Sequence, residues 1–384
     1  MKKSGILLVV FILLIGLSVL TNAQDGSDIK TKSFNVKKGG TLYVNLTEGD
    51  VKISTWDKNE VYIKIKSDDR KKISGISLTL EDNTVKISNR DGGGWGWSGD
   101  ITVNVSIPSE FNVEVNTQSG DVSQTGNLKG TATVFTAGGD IRLQGVTGKT
   151  VLKSNGGDIT TGNIGDDLLL STNGGDVNTG YVSGITNIKT MGGDITVTTA
   201  SKDLIVTTMG GDINIGNVGG KAEVKTMGGS ISVKKISGDA IIDTYGGDIS
   251  LSGATGNIEA TTYGGNIRMS NISGAVNLDT KSGDIYLELN PSENNNSKIR
   301  TMNGGVRIYL PSNTKATINA TVSGRNYNEY RDRKPGNTIR SDFEAKSFTS
   351  NDRRDKIEAK YILNGGGKTI TIISFNGNIE IRKK

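Results

Sequence analysis

The chain has no cysteine and no histidine among its 384 residues. Without cysteine there are no disulfides, no thiolate metal sites, no cysteine nucleophile and no lipid-bearing cysteine. Without histidine the commonest general base and the commonest metal ligand are missing as well. Neither sign of charge dominates, since 45 Lys and Arg face 40 Asp and Glu. No segment has the dense basic face with interleaved aromatics that nucleic-acid binding requires, so no nucleic-acid partner is expected. An apolar run extends from Gly5 to Leu20, short for a full membrane span. It follows Lys2 and Lys3 and ends at Thr21-Asn22-Ala23, before Gln24, which reads as a secretory signal over residues 1–23. The expectation is an exported protein of the periplasm, cell surface or medium, with no integral membrane span after cleavage.

Glycine, by contrast, is abundant, with 53 residues, and much of it recurs in one triplet. Gly-Gly-Asp or a close variant places Asp140, Asp158, Asp176, Asp194, Asp212, Ser230, Asp248, Asn266 and Asp284 at a constant step of 18 residues. A step without insertions means that each unit is one structural coil stacked on its neighbour.

With each triplet Asp as position zero, position +1 reads Ile141, Ile159, Val177, Ile195, Ile213, Ile231, Ile249, Ile267 and Ile285, all β-branched. Position +3 is often apolar (Leu143, Val197, Ile215), and +2 is often small and polar (Thr160, Asn178, Thr196), so a strand leaves the corner with its aliphatic side chains inward. A second inward column follows a bend at +6, as in Val182, Val218 and Ile236. Glycine at +8 (Gly148, Gly184, Gly220, Gly238) marks a second corner needing positive φ or close backbone approach. Inward residues at +10 and +12 and a threonine column at +14, from Thr172 to Thr280, complete the coil.

These features predict an all-β, single-chain β-solenoid of the parallel β-helix type, with 18-residue coils and irregular β caps at both ends. The divisions are residues 24–117 for the N-terminal β region, 118–290 for the regular solenoid and 291–384 for the C-terminal β region, with a charged insertion over about 323–360. Spacing leaves open a flat two-sided cross-section and a triangular one. No convincing amphipathic helix is found after the leader.

A Gly-Asp-Val/Ile unit repeated in this way behind a signal resembles the putative adhesin family of bacterial β-strand-repeat domains, a domain of unknown function. The likeness includes Gly49-Asp50-Val51, the passage from Ile107-Pro108-Ser109 to Ser119-Gly120-Asp121, and the closing Ser374-Phe375-Asn376-Gly377-Asn378-Ile379. The resemblance implies a β-repeat fold and surface attachment, and carries no binding residues with it.

Stacked carboxylates repel unless compensated, and calcium between coils is one remedy. Ser230 and Asn266 in the same column favour the other, side chains that bond nearby backbone N–H groups. No cofactor or metal is therefore assigned, and a calcium-binding β-roll stays an alternative. Position −3 holds Met191, Met209, Met227, Tyr245 and Tyr263, which alternation from the inward threonine turns outward as a candidate interaction stripe. The bland reading places them over a corner or beneath the C-terminal insertion. Trp95 and Trp97 in a glycine-rich loop are candidate contacts for a glycan or membrane, or a hairpin tip folded onto its sheet. Asp166 and Asp167 are the acidic pair a polysaccharide-acting β-helix enzyme would use, although neighbouring strand residues point apart. The reading adopted is an exported, non-catalytic adhesin or envelope scaffold that meets a surface protein, a glycan or further copies of itself by lateral association.

Overall fold

In the computed structural model, described for residues 19–22, 27–89, 101–291, 295–324, 338–351 and 356–384, almost all regular structure is strand. The strands form two sheets of 18, one on each side of a continuous aliphatic core. Each regular coil gives one strand to each sheet. Ile213–Val218 belongs to the first and Ala222–Lys225 to the second, and both pair in parallel with equivalents 18 residues before and after. The cross-section is thus two-sided.

Within a coil, burial follows the expected columns. Ile213, Ile215 and Val218 are buried while Asn214 is exposed. The three-residue step from Ile215 to Val218 coincides with a gap in the pairing register at Gly216, after which Val218 is again buried. Val224 and Thr226 are buried on the opposite strand and the corner after it. Each fully buried β-branched side chain contributes about 1.5–3 kcal/mol.

Polar groups fasten coil to coil. Thr208 Oγ1 donates to the Gly193 carbonyl of the preceding coil (3.2 Å) and accepts from Gly211 N–H (3.3 Å). This arrangement repeats from Thr172 to Thr262, so a buried hydroxyl column satisfies backbone groups at each of these Gly-Gly corners. The aspartate ladder works between coils, not within its own turn. Asp194 Oδ1 accepts from Asp212 N–H (2.7 Å) and Asp212 Oδ1 from Ser230 N–H (2.7 Å). Ser230 Oγ (3.3 Å) and Asn266 Oδ1 (2.8 Å) do the same for Asp248 and Asp284. The expected N–H partner was a local one. The stack supplies a better one, because the amide of the next coil lies directly over each side chain.

The second glycine of each triplet has no room for a side chain. A Cβ on Gly211 would lie 2.1 Å from the Gly193 carbonyl oxygen, whereas one on Gly210 meets nothing closer than 3.5 Å. Of the two roles open to glycine at the second corner, close approach is the one found. A Cβ on Gly238 would stand 2.6 Å from the Gly220 oxygen, and Gly238 is not among the positive-φ glycines.

At the ends the spatial order departs from chain order. Gly40–Glu48 lies between Thr84–Asn89 and Phe111–Ser119, parallel to both. Thr369–Phe375 lies between Ser297–Asn303 and Ala316–Ser323, so parallel stacking continues past Asn290. Strands of the charged insertion, Ile339–Ser341 and Ser347–Ser350, pair into the first and second sheets respectively. A helix missed by the sequence reading, Arg70–Ser74, joins the two sheets near the N-terminal end. It is only five residues long, too short for a periodic signal, and Asp69 caps it by accepting from Lys71 N–H (2.8 Å). Ile73 is wholly buried, and the buried Lys72 pairs with Glu48. Val19–Asn22, the end of the expected leader, pairs antiparallel with Asp28–Asn35. Among the described residues no helix is long and apolar enough to cross a membrane.

Candidate interaction surface

The threonine column sets the direction of the residue that follows it. With Thr190, Thr208, Thr226, Thr244 and Thr262 buried and bonded at the corner, the next side chains have only solvent to enter. Met191, Met209, Met227, Tyr245 and Tyr263 are accordingly exposed, from 41% for Tyr263 to 61% for Tyr245. They lie over a corner, and the described part of the insertion leaves them open to solvent. Backbone bonds between adjacent rungs hold the spacing, such as Met209 N–H to the Met191 carbonyl (3.3 Å) and Tyr263 N–H to the Tyr245 carbonyl (3.2 Å). The Tyr245 and Tyr263 rings stack at 4.6 Å and 17°, and Lys281 Nζ sits 3.7 Å over the Tyr263 ring.

The column also runs beyond the period. Thr301 and Ser374 occupy the threonine position, donating to the Gly283 and Gly304 carbonyls (both 2.8 Å). Their successors Met302 and Phe375 are exposed. Pairing of Thr262 with Thr280, Thr280 with Thr301, and Thr301 with Ser374 makes Tyr263, Lys281, Met302 and Phe375 consecutive rungs. Counting by 18 loses these last two. The local signal was a hydroxyl residue and a large apolar one before Asn-Gly, in Thr301-Met302-Asn303-Gly304 and Ser374-Phe375-Asn376-Gly377.

One flank of the stripe is the glycine corner, which offers bare backbone. The other carries Lys189, Thr207, Lys225 and Asp243. Lys225 pairs with Glu223 at 2.6 Å. Partial burial pushes the Asp243 carboxyl above its ordinary range, against the pull of Lys225.

The family match spans most of the same chain. The Toastrack DUF4097 family, a domain of unknown function, matches residues 40–200 and again 186–334. The chain belongs to this family. Among solved structures, this Toastrack chain is similar to a putative cell adhesion protein from Clostridium sporogenes, at 12% identity over 93% of this chain and 100% of that one, with a TM-score of 0.18. A putative adhesin from Parabacteroides distasonis aligns at 13% identity over 67% of this chain and 97% of that one, with a TM-score of 0.33. A putative lipid binding protein from the same organism aligns at 15% identity over 65% and 96%, with a TM-score of 0.22. No curated protein matches the sequence.

Asp166 and Asp167 of the Toastrack chain are not brought to the stripe. Asp167 Oδ1 accepts from Ile185 N–H (2.8 Å), so it clamps coils at the second corner, and Asp166 Oδ1 accepts from Asp167 N–H (2.8 Å). Trp95 and Trp97 lie outside the described residues. Among the described residues no group of three Asp or Glu is placed to hold a metal ion.

Proposed function

We propose that the protein is an exported, non-catalytic scaffold of adhesin type that presents its corner stripe to a protein partner or to a second copy lying alongside. The observation that carries this reading is the row of exposed Met and Tyr side chains repeated once per coil. Scattered exposed apolar residues are ordinary, but a contiguous row of them marks an interaction surface. Methionine adapts to varied partner surfaces, and the stacked tyrosines add rigid area. Export rests on the leader pattern of residues 1–23.

Replacing Met209, Met227 and Tyr245 together with Ser should abolish self-association in light scattering, or partner capture from envelope extracts, with an unchanged circular-dichroism spectrum. Unfolding of the triple variant would show the row to be structural. Protease shaving of intact cells, with a periplasmic marker as control, separates surface display from a periplasmic role. Turnover of a polysaccharide that is lost on Asp167→Asn would overturn the non-catalytic reading.

A further inference from the structure

The outer face of the first sheet changes character along the rod. At position +2 the column begins with Arg142, which pairs with Asp140, and then shows Thr160, Asn178, Thr196, Asn214, Ser232 and Ser250, none of them charged or aromatic. In the next coils the same column becomes Arg268, Tyr286, Arg307 and Glu380, which pairing places in adjacent strands. These larger side chains form one wall of a cleft of about 750 Å³, and the ladder residues Asp248, Asn266, Asp284 and Asn378 form the other.

Both walls hold polar groups with capacity to spare. Asp248 and Asp284 commit Oδ1 to the N–H groups of Asn266 (2.6 Å) and Gly305 (2.7 Å), and neither Oδ2 has a partner among the described residues. The Arg268 guanidinium lies 5.0 Å over the Tyr286 ring and has no carboxylate partner among the described residues. Tyr286 is held by its hydroxyl donating to Glu288 Oε1 (2.9 Å), and Glu288 in turn pairs with Lys384 (2.7 Å). Arg307 is neutralised by Glu380 at 3.0 Å.

This inventory selects a ligand class. A phosphorylated or uronic polymer would meet Asp248 and Asp284, a polycation would meet Arg268, and an apolar ligand would strand all of these groups unbonded. An uncharged polyol satisfies them, because each hydroxyl donates to a carboxylate and accepts from a guanidinium or amide. The lining spans five rungs, roughly 19 Å at the strand spacing. One sugar unit advances an extended linear glycan by about one rung. We propose that this cleft binds a short segment of uncharged glycan, separately from the corner stripe.

The test is binding of the full-length exported chain to an array of immobilised neutral and acidic glycans, followed by calorimetry with the corresponding soluble tetrasaccharides. At least one neutral tetrasaccharide should bind, with a dissociation constant of about 1 mM or tighter, and acidic ones such as tetragalacturonate should not. Arg268→Ser and Asp248→Asn should each weaken binding about tenfold or more. Asp248→Asn retains the backbone clamp, since Asn266 already fills the same role with its own Oδ1, so its loss of binding cannot come from unfolding. The Met209, Met227 and Tyr245 triple Ser variant should bind sugar normally. The proposal is overturned by an array without neutral binders, by a preference for acidic glycans, or by binding that both single substitutions leave unchanged.

Discussion

The central coils and the two ends use the same strands and corners under different constraints. Between about Asp140 and Asp284 every coil has a neighbour above and below, and chain order equals spatial order. An insertion there would have to be matched on both sides, so the 18-residue step is enforced. An end has one neighbour only. There Gly40–Glu48 and Thr369–Phe375 slot between strands that are remote in sequence, and the outermost pairs turn antiparallel except in the first sheet at the C-terminal end, where Ile339–Ser341 pairs in parallel. The final strands are also short, such as Ile339–Ser341 and Ser347–Ser350, which limits the unpaired edge open to aggregation. Uniformity therefore marks where stacking constrains the chain from two sides, and irregularity marks where it must stop.

The largest expected effect breaks an end. Deleting residues 369–384 removes Thr369–Phe375 and Ile379–Lys383, each held between two partners, and leaves new edges in both sheets. The truncated chain should aggregate in gel filtration with light scattering. A monodisperse product would mean that the ends are dispensable to the rod.

Glycine separates the two regions next. Gly211→Ala should cost about 3 kcal/mol or more, since its Cβ would strike backbone that both neighbouring coils hold in place. Gly365, at an end, has φ +88° and nothing within 4 Å of a built Cβ. There Gly365→Asn should cost under about 1 kcal/mol, because asparagine tolerates the left-handed region. Chemical denaturation of both variants checks the contrast, and equal losses would erase it.

Ile213→Ala should cost about 2–5 kcal/mol by leaving a cavity in a core with no slack along the stack. The smallest effect concerns the ladder. Asp212→Asn keeps an oxygen for Ser230 N–H and should stay within about 0.5 kcal/mol, while Asp212→Ala, which removes the acceptor at an exposed site, should cost about 1 kcal/mol. If Asp212→Asn matched Ile213→Ala in the same denaturation series, the assignment of inward and outward columns would be wrong.

The inward columns at Ile213, Val218 and Thr208, both corners and the outward Met191 to Tyr263 row were legible in the sequence. Each is a local pattern that recurs from coil to coil, and repetition makes a weak local preference readable. The partner of each ladder aspartate was not legible. Alternation says that Asp212 points out, but only stacking decides that Ser230 N–H lies over it. Met302 and Phe375 were missed because the extra residues between coils break the count, while the structure restores them to the column through the Thr280 and Thr301 pairing. The order of strands at the ends, and the wall that Arg268, Tyr286 and Arg307 build with the ladder, depend on contacts between residues up to about seventy positions apart. No period carries that information, because a strand with one free side can accept any partner of matching length and burial pattern, and the choice falls to whichever packing buries the end of the core.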